Sequence, residues 1–408
     1  MSNQSANGRR IFNLLFLLTA VAWFLGPAFG NPSVSVTRHR ANELLVVSAE
    51  AFSPSFLGMY RKVMRIEGDI KKYSLKYQID LALARAVCMY ESGGNARLTS
   101  PAGARGYFQV MPATFRSLHV RTNIEAGIKY LAQLVRRFGR EDYALAAYNG
   151  GPTRVARGRV MPFETRQYVM GVRIYRATLK KYGPSVRERA NQLRVETVGR
   201  GDDWWRLSQR LNLPMVQLRL YNPFLAARTL RPGDRVVYPP DAMPGLLKVD
   251  DDDTLYYRTR VGDNVINLAF ALGVDLDDLR EANGLQPLQF PSPGTMLEIP
   301  IGESAKFTTY RVAARDDLPT IAERLQVDPW SIVRDNLLWN QRVQPGMVLR
   351  IRELPPRPKY VLHRVRRGDN LSSIAQRYHT NVRAIQQANS MGRTTRIRIG
   401  QRLRIRRP

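Results

Sequence analysis

Cysteine is almost missing from this 408-residue chain, with Cys88 its only copy. No disulfide can form within one molecule, and no lipid-bearing cysteine follows the apolar N-terminal run. Cys88 lies in an Ala- and Leu-rich stretch and is expected as a small buried helix residue. Histidine is nearly as scarce. His39, His119, His363 and His379 share no ligand spacing, so neither a metal site nor any other cofactor is expected. His119 falls in a connecting stretch and is expected to be exposed. Acids are outnumbered, 34 against 63 Lys and Arg, for a net charge of +29. The excess is spread over every segment, with no basic stripe interleaved with stacking aromatics. That argues against nucleic acid and for an anionic surface as the partner. Long hydrophobic runs are also lacking, apart from Ile11–Leu25. This run follows Arg9-Arg10 and precedes Ala28-Phe29-Gly30, so residues 1–30 read as an export signal cut before Asn31. It is short for a membrane span. An uncleaved signal anchor is the alternative.

Carboxylates are thinnest where one matters most. Between Leu81 and Val169 the only acids are Glu91, Glu125, Glu141, Asp142 and Glu164. The stretch Leu81–Met89 is a strong helix former, and Gly93-Gly94 stops the helix just after Glu91. A carboxyl at the apolar end of a buried helix loses solvation of its charged form, so its pKa rises, as a general acid near neutral pH requires. The competing reading is a surface Glu, although the helix macrodipole disfavours negative charge at that end. Glu125 stands at a helix start, where an acid is favoured for capping. Glu164 is the one serious second acid. It reads either as a partner for Glu91 or as an ion pair or cap that anchors the loop holding Tyr168.

Four further blocks follow in order: Ser100-Pro101-Ala102-Gly103-Ala104, Gly106-Tyr107-Phe108-Gln109-Val110-Met111-Pro112, Ala146-Ala147-Tyr148-Asn149-Gly150 and Glu164-Thr165-Arg166-Gln167-Tyr168. With Glu91-Ser92-Gly93 they resemble, in order and spacing, the soluble lytic transglycosylase domain of the lysozyme superfamily. Tyr107-Phe108 departs from the family's commoner Leu-Met or Ile-Trp pair and can alter a sugar subsite. The resemblance implies a mainly helical catalytic domain and Glu91 as sole catalytic acid and base. It also implies Ser100 and Gln109 bonding the sugar or its N-acetyl group, Met111 lining the cleft, and Tyr148, Asn149 and Tyr168 orienting Glu91 and the substrate. Met111 reads equally well as core, and Asn149 as a cap before Gly150-Gly151.

The second half repeats one pattern four times. Gly201-Asp202, Gly262-Asp263, Arg315-Asp316 and Gly368-Asp369 align, and Asn222, Asn283, Asn336 and Asn389 each stand twenty positions after the Asp. Gly233, Gly294, Gly346 and Gly400 come about ten positions later, before an alternating stretch such as Arg402-Leu403-Arg404-Ile405. Each unit reads strand, helix, helix, strand. The Asp opens the first helix as a cap region, the Asn closes the second, and the Gly turns into the last strand. These units resemble LysM domains, small βααβ modules that bind N-acetylglucosamine-containing glycans. Their Gly, Asp and Asn marks read as fold determinants, which leaves sugar binding to loops such as Gly368–Leu371 and Asn389–Arg393. The Arg alternation of the last strand reads as a solvated face. In the third copy Arg315 replaces Gly and Pro319 enters the first helix, and in the second Val265 stands where Leu is usual.

The expected fold is therefore multidomain: a mainly α, lysozyme-like catalytic domain and four small α+β modules. The expected boundaries are signal 1–30, linker 31–55, catalytic domain 56–187 closed by Gly183-Pro184, module one 194–240, acidic linker 241–254, module two 255–301, degenerate module three 307–352, Pro-rich linker 353–359 and module four 360–406. The expected partner is peptidoglycan, cut between N-acetylmuramic acid and N-acetylglucosamine with formation of a 1,6-anhydro ring. Weak modules in tandem would add avidity. A muramidase using water, or a non-catalytic wall-binding scaffold, remains open.

Overall fold

The computed structural model describes residues 52–243, 245–286, 289–301, 306–338, 343–353, 360–365, 368–378 and 380–406. The signal segment, nearly all of linker 31–55, most of 353–359, His39 and His379 lie outside these residues. The chain divides into two units, one ending at Glu353 and one beginning at Leu354.

The first unit begins with a helical domain. Its helices are α1 (Pro54–Met64), α2 (Glu67–Tyr77), α3 (Leu81–Ser92), α4 (Pro112–Ser117), α5 (Asn123–Phe138), α6 (Glu141–Gly150), α7 (Pro152–Ala156) and α8 (Phe163–Gln192). Local chemistry sets several of their starts. Ser53, Asp80 and Thr122 cap α1, α3 and α5 by accepting from Phe56 N, Leu83 N and Glu125 N. Pro184 does not close this domain, contrary to expectation. The helix bends at Tyr182, whose backbone leaves the helical region, and then runs on to Gln192 with Val186 and Ala190 in the core. A proline forbids the backbone bond at its own nitrogen, so it kinks the helix there, and buried contacts beyond it hold the continuation.

The repeats follow as four modules. Module one holds β1 (Arg194–Thr197), α9 (Trp204–Leu211), α10 (Met215–Leu220), α11 (Pro223–Ala226) and β2 (Arg235–Tyr238). Module two holds β3 (Leu247–Val249), β4 (Leu255–Arg258), α12 (Val265–Leu272), α13 (Leu276–Ala282) and β5 (Met296–Glu298). Module three holds β6 (Phe307–Arg311), α14 (Leu318–Leu325), α15 (Pro329–Asp335) and β7 (Val348–Arg352). Module four holds β8 (Tyr360–Arg364), α16 (Leu371–Arg377), α17 (Val382–Ala388) and β9 (Arg402–Arg406). All sheets are antiparallel, with registers such as Val195↔Val237 and His363↔Leu403. The stretch 241–254 is more than a linker, because β3 lies within it and pairs with β4 just beyond it. Pro319 sits in the first turn of α14, where its missing N–H costs nothing.

The repeated Asn is a staple. Asn222 Nδ2 donates to Leu218 O (2.8 Å) and Val237 O (2.6 Å), while its Oδ1 accepts from Val237 N (2.9 Å). Asn283, Asn336 and Asn389 make the same three bonds to the helix end and the last strand. The repeated Asp works differently from expectation. The next residue caps the first helix, namely Asp203, Asn264, Asp317 and Asn370. The Asp instead braces the preceding turn, as Asp202 does by accepting from Gly199 N, Asp263 from Arg260 N and Asp316 from Ala313 N.

Modules one to three share one apolar core. Arg219 is buried at their meeting point. Its guanidinium donates to Ala271 O (2.8 Å) and Ala226 O (3.1 Å) and stacks over Trp330 at 4.4 Å. Burial lowers its pKa to about 9. Trp330 Nε1 donates to Leu272 O (3.0 Å). The array also packs on the helical domain. Ser55 Oγ donates to Leu220 O (2.8 Å) and Ser53 N to Val261 O (2.9 Å). Gly58 lies so close to Tyr221 that a β-carbon would stand 2.0 Å from its carbonyl oxygen. Module four has its own core of Val365, Leu371, Ile374, Ala375, Ile385, Leu403 and Ile405. Within it His363 is held between Asp369 (2.9 Å) and Tyr378 (3.1 Å).

Two predictions follow from this packing. Asn222→Ala removes three bonds from a fully buried staple, so denaturant unfolding of the full chain should show a loss of roughly 2–4 kcal/mol. Lys62 is buried between α1 and module one, with Nζ 3.1 Å from Asn95 Oδ1, and burial lowers its pKa from 10.5 to about 7. The unfolded chain therefore holds the extra proton between those values, and stability climbs as pH rises from 7 towards 10.5. Lys62→Met should stabilise the protein at pH 7 by about 1–3 kcal/mol and flatten that climb in melting curves.

Candidate active site

Helix α3 delivers Glu91. Residues Ala86 through Ser92 are all buried, and Gly93 ends the helix in the left-handed conformation. Glu91 is 7% exposed. Burial drives its pKa up from 4.5 to about 8, and the nearby Tyr168 phenol pulls it part of the way back. The reading of Glu91 as a surface residue is therefore excluded. Four titratable side chains feel its charge: Cys88, Tyr90, Tyr148 and Tyr168, each with its own pKa raised chiefly by burial. Cys88 is buried in the helix, as expected.

The two phenols differ in what they hold. Tyr148 donates to Phe108 O at 2.8 Å and so ties α6 to the 95–111 loop. Tyr168 is buried with a hydroxyl that has no hydrogen-bond partner among the described residues, and it lies near enough to Glu91 for each to shift the other's pKa. Its ring meets Tyr90 edge-on, with centroids 5.3 Å apart. Tyr168 lies inside α8, one turn from its start, and not in a loop.

The loop from Asn95 to Met111 is held by its own polar side chains. Ser100 Oγ accepts from Ala104 N (2.9 Å). Gln109 is buried, with backbone φ of 45°, and its Nε2 donates to Gly106 O (2.7 Å) and Leu98 O (3.0 Å). Gln109 Oε1 is buried without a partner among the described residues. Met111, at 42% exposure, ends the loop on the surface, so the core reading fails for it. Asn149 accepts from Thr165 Oγ1 at 3.0 Å and so joins α6 to α8; the cap that follows it is Gly151.

The sequence reading did not single out three side chains that build this site. Ser92 Oγ donates to Tyr107 O (2.7 Å) and fastens the loop to the residue after Glu91. Asn123 Oδ1 accepts from Phe108 N (2.9 Å) while its Nδ2 donates to Arg105 O (2.8 Å). Thr165 holds Asn149. Ser92 and Thr165 stood inside the quoted blocks, whereas Asn123 lay between them with nothing to mark it.

The other acids are engaged elsewhere. Glu125 accepts from Lys76 Nζ (2.7 Å) and Tyr77 OH (2.8 Å), Glu141 pairs with Arg176, and Asp142 with Arg140. Glu164 makes neither of the contacts expected of it. It has no ion pair among the described residues, and α8 has no side-chain cap. Half-buried in the first turn of α8, its carboxyl is raised in pKa by desolvation. His119 is exposed after α4, as expected.

Residues 69–165 match the family described as the transglycosylase SLT domain. Residues 197–239, 257–300, 310–352 and 363–406 match the LysM domain. The chain is 26% identical to the membrane-bound lytic murein transglycosylase D of Escherichia coli K12, over 69% of this chain and 74% of that protein. It is 33% identical to the soluble lytic murein transglycosylase of the same organism over 26% of this chain and 22% of that protein. Among solved structures it is similar to the 70 kDa soluble lytic transglycosylase of Escherichia coli, with 31% identity and a TM-score of 0.26. That match covers 28% of this chain and 24% of the other. The chain thus carries a mostly helical SLT transglycosylase domain followed by four LysM domains, and it is similar in this layout to lytic murein transglycosylases.

Proposed function

We propose that the protein is an exported enzyme that cuts peptidoglycan between N-acetylmuramic acid and N-acetylglucosamine and leaves a 1,6-anhydro end. The observation that carries this reading is the solitude of Glu91. It is one buried carboxyl with a pKa of about 8, and no second carboxylate contributes to that shift. A glycosidase working by two carboxylates needs the second one beside the bond. Here Glu91 gives its proton to the glycosidic oxygen as the bond to the muramic C1 breaks. Its carboxylate then takes the proton of the C6 hydroxyl as that oxygen closes on C1, and the substrate N-acetyl group steadies the charge between the two steps. Atoms balance without water, so the reaction is a lyase reaction.

The remaining side chains take supporting roles. Tyr168 is placed to donate to the Glu91 carboxylate once the proton has left. Gln109, with a buried unpaired carbonyl oxygen, and Ser100 lie on the loop where the sugar and its N-acetyl group would bind. Met111 supplies apolar wall, and Asn149 and Tyr148 hold the frame. The LysM modules would bind glycan, and the basic surface would favour the anionic wall. The Arg9–Gly30 segment supports export, cleaved or retained as an anchor.

Mass spectrometry of products from purified sacculi tests the chemistry. Anhydro ends are expected, and reducing ends alone would mean a hydrolase. Glu91→Gln should cost at least about 10³-fold in muropeptide release; parental release would leave only a wall-binding scaffold. Because the acid is competent while protonated, activity should fall as pH rises through about 8. Tyr168 lowers the Glu91 pKa, so Tyr168→Phe should move that alkaline limb upward while reducing kcat, read from the pH–rate profile.

A further inference from the structure

The second module departs from its siblings in one respect that a free sugar-binding unit would not need. In α9, α14 and α16 only one face is buried, as with Leu371, Ile374 and Ala375 in α16. In α12, Val-Ile-Asn-Leu-Ala-Phe-Ala-Leu, every residue from Val265 to Leu272 is buried. A module helix without a polar face must be covered on its outer side; here α10 and α11 of module one cover its apolar residues, and Asn264 and Asn267 face the back of the catalytic domain.

The contact is polar and specific at its centre. Asn267 Nδ2 donates to Tyr175 OH at 2.8 Å, and Asn264 Nδ2 to Tyr90 OH at 3.3 Å. All four side chains are buried. Met89, Tyr90, Tyr175, Phe224, Asn264, Ile266 and Asn267 enclose a small cavity between the parts. Tyr90 immediately precedes Glu91, and its ring stands edge-on to both Tyr168 (5.3 Å) and Tyr175 (5.7 Å). Module one closes the other side. Phe224 presses on Gly93, two residues after Glu91, so closely that a β-carbon there would stand 2.6 Å from its ring. Arg280 of α13 reaches Phe163 at the start of α8, the helix that carries Tyr168 (4.8 Å). The turn before α12, where a free module would offer a sugar loop, is occupied too. Val261 O accepts from Ser53 N, and a β-carbon on Gly262 would stand 2.7 Å from the Phe56 ring. The matching asparagine of module four, Asn370, is exposed and only caps its own helix.

Resting on the reading of Glu91 as the reacting carboxyl, we infer that module two is a positioning part of the active site: Asn264 and Asn267 hold Tyr90 and Tyr175 and thereby fix and desolvate the end of the Glu91 helix. Its first sugar loop is given up to this contact, so wall binding falls to the other modules. Asn264 and Asn267 touch no substrate. They act through Tyr90 and Tyr168 on the carboxyl.

Asn264 also caps α12 by accepting from Ile266 N, so the test replaces it with a residue that keeps the cap. Full-length Asn264→Ser/Asn267→Ala is compared with the parent on sacculi, together with Tyr90→Phe, which deletes a single hydroxyl. The expected result is a kcat about tenfold lower with unchanged KM and unchanged sedimentation with sacculi. The alkaline limb should move down by about one pH unit as water reaches Glu91. Tyr90→Phe should shift the limb in the same direction by less, and combining it with Asn264→Ser should add little further. Parental kcat and an unmoved limb in a folded double variant, or an unmoved limb in Tyr90→Phe, would overturn the inference. A loss of sedimentation would do so as well, by making the module a wall binder. A parent that releases no anhydro product would instead defeat the functional reading.

Discussion

Keeping one carboxyl dry is the constraint on which this architecture rests. A carboxylate in an apolar surrounding is costly, and the cost appears as a raised pKa when the group can take a proton instead. Glu91 meets that condition because the C-terminal end of α3 is packed against several parts of the chain. Helix α8 brings Tyr168 against it, the 95–111 loop is pinned by Ser92, Tyr148 and Asn123, and modules one and two cover its back. The loop is held by hydrogen bonds between side chains and backbone, and module two by side-chain bonds to Tyr90 and Tyr175. Such bonds fix direction as well as proximity, which apolar packing alone does not do.

Much of this was legible in the sequence because it rests on local signals. The Ala- and Leu-rich run into Gly93 gives the helix, its stop and the burial of Glu91 and Cys88. The equal Asp-to-Asn spacing gives four modules, and the Asn turned out to be the staple that makes each of them close. The failures are equally local in origin. Asp202 and its equivalents resemble caps because the true cap is the next residue, also a good capping type. Gly183-Pro184 looks like an end because nothing nearby reveals that Val186 and Ala190 find a distant core. Tyr148 and Tyr168 are both phenols in motif blocks, and only the folded arrangement shows that one serves the backbone while the other faces the acid.

The docking of the modules was hidden for a different reason. Repeat detection rewards what copies share, whereas docking depends on where they differ. The all-buried α12 and Asn267 are deviations from the repeat, as is Arg219, stacked over Trp330 between three modules. Once copies exist, each is free to trade its outer face for a neighbour, provided the staple and the turn brace persist. The first three have made that trade and share a core, while the fourth retains a core of its own.

A residue that must act first as acid and then as base is best served by a pKa near the working pH, since each step is then penalised little. Water alone would leave Glu91 near 4.5, a poor acid at neutrality, and burial without relief would leave a carboxylate too costly to form. The value of about 8 reflects the two opposing influences seen at the site, desolvation by the packed helix end and stabilisation by Tyr168. The buried Tyr168 hydroxyl belongs to this balance. A donor near the carboxyl favours its charged form, so in the proposed reaction it would support the anion between proton donation and proton recovery. In the proposed reaction one carboxyl would then carry both halves, because its surroundings would change their support as its charge changes.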